Sequence, residues 1–240
     1  YQGEPSRRRN GERRGTQSSD LPPTAFVLFL QNHDQIGNRA LGERLTKLAD
    51  PAALEAAIAL QMLCPQIPLM FMGEDLGSRS PFLFFCDHRE ELAHAVREGR
   101  RREFARFAAF ADPASRDTLP DPCAAETFAR SVPRPDPDHA AARQELYRRL
   151  LAVRHADIIP RLPHTGSLGA IALGTSGVVA RWRMGDGMIL TLATNLGGEP
   201  VAIVPPAGRL LFESMTGAAD SVGSGRLPAR ATVARLGADA

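Results

Sequence analysis

His33 and Asp34 stand side by side in the string Leu30-Gln31-Asn32-His33-Asp34-Gln35-Ile36-Gly37-Asn38-Arg39, directly after the apolar run Phe26-Val27-Leu28-Phe29. A ring N–H next to a carboxylate can bind a substrate hydroxyl and hold negative charge in one small site. A fixed carboxylate of this kind stabilises positive charge that develops during bond cleavage. Asn38 and Arg39 follow within a turn and can line a subsite or tie the loop down. Two more clusters have the same character. Glu74-Asp75 closes a second apolar run, and Asp87-His88 follows the aromatic stretch Phe82-Leu83-Phe84-Phe85.

The elements that must position these residues can be read from the pattern. Five apolar residues without alternation, Phe26 to Leu30, predict a strand buried on both faces, as in a parallel sheet. Asp50 before Pro51 predicts a helix start, and Leu54, Ile58 and Met62 mark one helical face. Pro65 and Pro68 end that helix near Cys64. Leu69-Met70-Phe71-Met72 then predicts a second strand, parallel to the first because the crossover is long. Polar clusters at the carboxyl ends of such strands are where α/β folds place their chemistry.

Further along, a helix is predicted from about Glu91 to Phe110, with Val96, Phe104 and Phe107 buried and Arg100, Arg101 and Arg102 on a solvated face. Proline and aspartate cluster over 112–137, which predicts an irregular connection. Residues 138–155 read as a helix burying Leu146, Leu150 and Val153, with Arg143, Arg148 and Arg149 largely opposite. After Pro160 and Pro163 the pattern becomes short strands at Ala170–Leu173, Val178–Met184, Met188–Asn195, Val201–Val204 and Arg209–Glu213. Gly185-Asp186-Gly187 stands as a hairpin turn among them. The expected fold class is therefore α/β, followed by a small antiparallel β domain.

Composition narrows the function. Apolar residues make up 43% and charged residues 23%, as in ordinary globular chains. A net charge of +2 is too mild to imply a nucleic-acid partner, and the arginines of residues 1–23 are interleaved with Glu4, Glu12 and Asp20, so that stretch reads as a surface loop. No apolar run is long enough for a membrane span. Cys64, Cys86 and Cys123 are odd in number and unevenly spaced, which fits a reducing cytoplasm. Adjacent Cys86, Asp87 and His88 lack the ligand spacing of zinc sites, so no metal is expected. No serine nucleophile elbow, phosphate-binding loop or dinucleotide fingerprint occurs.

Taken together, the 29–45 string, Phe71-Met72-Gly73-Glu74-Asp75, Pro81 to His88, Glu98 to Phe104 and Glu126 to Ser131 resemble the α-amylase superfamily of glycoside hydrolases. Within it they are most similar to the subgroup that releases trehalose from malto-oligosyltrehalose. The resemblance covers roughly residues 20–160 well and the rest weakly. Two departures are visible: Glu74-Asp75 where the family often has two glutamates, and Cys86 where it often has a hydroxyl residue.

That resemblance implies a partial TIM barrel, the last strand–helix units of a (β/α)8 barrel, over 1–160 and an all-β domain over 161–240. It implies that Asp34 is the transition-state stabiliser and that His33 binds a sugar hydroxyl, with Asn38, Arg39, Asp87 and His88 as substrate-binding candidates. From spacing alone, Asp34 could equally cap a helix starting near Gly37. The implied partners are malto-oligosyltrehalose or a related α-glucan and water; no cofactor is implied. The superfamily's nucleophile and general acid, about 5–5.5 Å apart, lie on earlier strands. Only 25 residues precede Phe26 and the chain starts with Tyr1, so the expectation is a carboxyl-terminal part of a longer enzyme, inactive alone. A glucan-branching enzyme and a non-catalytic carbohydrate-binding fragment stand as the alternatives.

Overall fold

A computed structural model of the protein describes residues 3–18 and 20–238. In chain order the first elements are β1 (Val27–Leu28), α1 (His33–Gly37), α2 (Leu45–Leu48), α3 (Pro51–Leu63), β2 (Ile67–Pro68), α4 (Glu90–Phe104), α5 (Pro113–Arg116), α6 (Ala125–Ser131) and α7 (Ala140–Val153). The chain continues with β3 (Gly166–Leu173), β4 (Gly177–Arg183), β5 (Ile189–Asn195), β6 (Val201–Ala202), β7 (Arg209–Glu213), α8 (Ala218–Gly223), β8 (Arg226–Leu227) and β9 (Ala231–Gly237). Contacts divide it into two compact units: Tyr1–Leu28 with Ala52–Leu69 and Arg149–Ala240, and Phe29–Pro51 with Met70–Arg148.

In the first unit β1 and β2 pair in parallel, Val27 against Ile67 and Leu28 against Pro68. The parallel crossover is as expected, but the strands differ from the reading. Each is two residues long, and the second lies at Ile67–Pro68, with Leu69 adding only an N–H to the Leu28 carbonyl at 2.9 Å. Nor is β1 buried on both faces: Phe26 and Val27 are 37% and 56% exposed. The physical reason is that β1 has a single strand neighbour among the described residues, so one edge and much of its apolar surface stay uncovered.

Between them α3 runs as the spacing predicts. Leu54, Ile58 and Met62 are buried. Its Gln61 amide donates to the carbonyls of Leu28 and Leu69 at 3.2 and 2.8 Å, so one side chain fastens the helix to both strands. The carbonyls at its carboxyl end have no helical partner. Buried Arg154 supplies one, donating to the carbonyls of Met62, Cys64 and Gln66 at 2.9, 2.6 and 2.7 Å.

The β domain of this unit is a five-stranded antiparallel sheet in the order β3-β4-β5-β9-β7. The expected hairpin joins β4 to β5, with Met184 donating to the Met188 carbonyl at 2.8 Å and Gly187 at φ +83°, which glycine adopts without strain. Every residue of β5 is buried. Leu227, Val222, Ala231 and Val233 form the core under α8 and the small β6–β8 pair. Strands β8 and β9 and helix α8 extend the series beyond the expected five strands. Thr232 of β9 donates its hydroxyl to the Ala56 carbonyl of α3 at 2.7 Å.

In the second unit the largest helix is α4, which stops at Phe104 and is followed by a short 3₁₀ turn at Ala108–Phe110. Its buried residues are Ala93 and Phe104, while Phe107, expected inside, is 48% exposed because the helix has ended before it. The 112–137 connection is irregular but carries α5 and α6. Of the α7 residues in this unit Arg143 and Tyr147 are buried, and Leu150, in the part of α7 assigned to the first unit, is buried as expected. Arg143 thus departs from the solvated face assigned to it. It faces the buried carboxylate of Glu74, a charge that an apolar stripe could not accommodate.

Candidate active site

Asn32 sets the geometry of the polar string. Its side chain accepts from the Gln35 N–H at 3.1 Å, and the Gln35 side chain accepts from the Asn32 N–H at 3.0 Å. This reciprocal cap starts α1 at His33 and removes the reading of Asp34 as the cap itself. Asp34 is thereby left unused by the helix start. Its carboxylate lies 3.3 Å from His33 Nε2, with the two side chains 73% and 68% exposed.

A depression of about 200 Å³ opens in front of the pair. His33, Asp34, Gly37 and Asn38 form one wall, and residues 82–85 form the other. Those aromatics are not core. Leu83 is buried, but Phe84 and Phe85 are 39% and 37% exposed, while Phe82 and Phe85 meet edge to face at 5.7 Å. The result is a small cleft with hydroxyl-binding groups opposite aromatic faces, a combination suited to a sugar ring.

The cleft depends on a close approach at Gly42. Its carbonyl accepts from the Phe82 N–H at 2.9 Å, and its φ is +62°. A Cβ there would sit 2.4 Å from the Phe82 carbonyl oxygen, so only glycine fits. Arg44 adds a second tie. It is 1% exposed and donates to the carbonyls of Met72 and Ser80 at 2.8 and 2.7 Å. Arg39 forms an ion pair with Glu43 at 3.1 Å and does not line the depression, and neither do Asp87 and His88, which lie exposed on the following loop. Of the six residues named from the sequence, three line the depression and three do not.

Glu74 is buried and structural. It accepts from the Phe71 N–H at 3.1 Å and from the Gln31 side chain. Burial holds its pKa above the usual carboxylate value, against the opposing pull of Gln31, the Phe71 N–H, Arg44 and Arg143. Sequence reasoning missed Arg44, Arg143 and Arg100 because an arginine's fate depends on which carbonyls a fold brings near it.

A possible metal grouping among the described residues is Asp136, Asp138 and His139, with ligand atoms within 4.8 Å of one another. Asp136 is already engaged there: one of its oxygens accepts from the His139 ring and from the N–H groups of Asp138 and His139, each at 3.0 Å, and these contacts hold its pKa down. No helix of the described residues is long and apolar enough to cross a membrane.

Among solved structures the chain is similar to enzymes of the α-amylase family. A Salmonella typhimurium crystal structure, provisionally described as an alpha amylase, superposes with a TM-score of 0.85 at 38% identity over 99% of this chain and 39% of that one. Isomaltulose synthase SmuA from Protaminobacter rubrum shares the fold at a TM-score of 0.55 and 13% identity, over 88% of this chain and 42% of its own.

More particularly, the chain is homologous to malto-oligosyltrehalose trehalohydrolases. It is 43% identical to that of Deinococcus radiodurans over 60% of this chain and 24% of the relative. It is 37% identical to that of Mycobacterium tuberculosis over 86% of this chain and 34% of the relative. The chain therefore spans about a third or less of the length of these relatives. Residues 165–234 match a family model described as a domain of unknown function, DUF3459.

Proposed function

We propose that this chain is the carboxyl-terminal part of a cytoplasmic glycoside hydrolase that cleaves the α-1,4 bond next to the trehalose end of malto-oligosyltrehalose. The observation that carries this reading is the exposed His33–Asp34 pair, held 3.3 Å apart on a capped turn and facing an aromatic wall. Hydrolysis passes through an oxocarbenium-like state. The Asp34 carboxylate stabilises that charge, and His33 donates to a hydroxyl of the same ring. Asn38 adds a subsite contact. Water is the second substrate, and the nucleophile and general acid belong to strands outside these residues. Arg39, Asp87 and His88 act as rim contacts if longer substrates reach them.

The barrel reading, residues 1–160 as its last strand–helix units and 161–240 as the β domain, draws support from β1 and β2. Val27 and Ile67 in these strands, with Phe26 and Leu69 beside them, expose 37–56% of their surface. Further barrel strands would cover them.

Product analysis tests the proposal. The native-length protein, given a malto-oligosyltrehalose, is expected to release free trehalose. Glucan transfer products without trehalose would favour a branching enzyme instead. A purely carbohydrate-binding role has less to recommend it, since Trp182, the sole tryptophan, is buried at 6% exposure and offers no platform.

A further inference from the structure

Arg100 occupies an unusual position for a residue in a run of three arginines. Its side chain is 14% exposed. The guanidinium carbon lies 4.8 Å from the Phe84 ring centre and 4.7 Å from that of Phe104. From between these rings Nη2 donates to the carbonyls of Gly37 and Arg39, at 3.2 and 3.4 Å. Its other terminal nitrogen pairs with Glu103 at 3.5 Å. The sequence places Arg100 with Arg101 and Arg102 on a solvated face, and the geometry contradicts this for Arg100.

One carbonyl, of Gly37, is at the carboxyl end of α1, where helical partners run out, and the other, of Arg39, follows the Asn38 cap. Phe84 belongs to the opposite wall of the depression. One planar cation therefore touches both walls: the turn that presents His33 and Asp34, and the aromatic segment that faces them. Stacking fixes the plane of the guanidinium, and that plane fixes where its N–H groups point. Lysine has the charge but neither the planar fork nor the stacking surface.

We propose that Arg100 is a positioning residue for the His33–Asp34 site, setting the distance between the Asp34 turn and the Phe84 wall without touching substrate. This rests on the reading of that cleft as the place where the sugar is bound and cleaved. Small displacements of reacting groups reduce rates by roughly ten- to a hundredfold. The effect falls on kcat, because ring contacts that bind substrate remain while the carboxylate moves.

The test uses the native-length protein with Arg100→Lys and Arg100→Ala. Hydrogen exchange of the amides of residues 36–40 is expected to accelerate in both variants, with α3 unchanged. Trehalose release is expected to lose roughly ten- to a hundredfold in kcat with KM little changed. Added guanidinium should recover part of the activity of Arg100→Ala and none of that of Arg100→Lys, whose ammonium fills the slot. Unchanged exchange at 36–40 overturns the proposal, and so does accelerated exchange with unaltered kcat. If the unmodified protein releases no trehalose, the functional reading fails on its own, and the exchange data still decide whether Arg100 holds the turn.

Discussion

Arg154 reaches the carbonyl of Cys64 at 2.6 Å across ninety positions of sequence, and the same guanidinium takes the carbonyls of Met62 and Gln66. A buried cation thus closes the end of α3, the polarity that a helix carboxyl terminus favours. Replacing Arg154 with leucine leaves those carbonyls buried without donors. The expected loss is about 2–4 kcal/mol of stability, read as a lower urea midpoint. Arg154→Lys should recover part of it, and equal stability of the leucine variant would refute the role.

The Asp34 carboxylate takes no part in the cap that starts its helix, and its side chain is 73% exposed. Asp34→Asn should therefore leave the melting temperature of the native-length protein nearly unchanged. Loss of a fixed charge at the reacting centre is expected to cost roughly a hundredfold or more in trehalose release. A variant that keeps full activity would remove Asp34 from the mechanism.

Gly42 allows the Asp34 loop to lie against Phe82. Alanine there meets the Phe82 carbonyl and must also adopt φ +62°. About 1–3 kcal/mol of destabilisation follows, checked by thermal unfolding. Gly99, whose added Cβ meets nothing within 4 Å, is the control, and Gly99→Ala should be neutral or stabilising.

Burial raises the Glu74 pKa in the folded chain. The folded state then binds more protons than the unfolded one between the ordinary glutamate value and the raised one. Stability contributed by this group is greatest at low pH and declines as pH rises through that window. Glu74→Gln does not titrate. The stability of the variant minus that of the unmodified chain should increase with pH over the window, measured by urea unfolding. A difference independent of pH would show that Glu74 titrates normally.

Cys86 and Cys123 are free thiols with sulfurs 3.3 Å apart. Burial, followed by its hydrogen bond to Cys123, pushes the Cys86 thiol up to about 11, while burial takes Cys64 up to about 12. Hydrogen peroxide should join Cys86 to Cys123, two thiols and one peroxide giving a disulfide and two waters, faster as pH rises. Peptide mapping by mass spectrometry is expected to find that link with Cys64 still reduced. Equal modification of all three would contradict the environments described.

Local patterns were the legible part of this chain. Leu54, Ile58 and Met62 bury as their spacing says, and Gly185-Asp186-Gly187 turns β4 into β5. The Asn32–Gln35 cap is local too, yet the sequence offered Asp34 as the cap, and the aromatics facing Asp34 come from residues 82–85, far along the chain. What escaped depends on distant partners. Phe26 to Leu30 looks like a doubly buried strand, yet burial requires neighbours that two short strands do not supply. Arg143 and Arg100 sit in periodic positions that suit solvent, and only the folded chain reveals the carboxylate and carbonyls they serve.

The place of β9 in the sheet governs the order in which the sheet can be made. Among the described strands, β7 pairs only with β9, and β5 completes its second edge there. A ribosome that has delivered everything up to Arg230 has supplied a three-stranded ribbon, β3-β4-β5, and an orphan β7. The final seven-residue strand then joins the two pieces and brings Thr232 to Ala56 of α3. The sheet cannot be completed before β9 is made, and its pairings between strands distant in sequence make its assembly correspondingly slow.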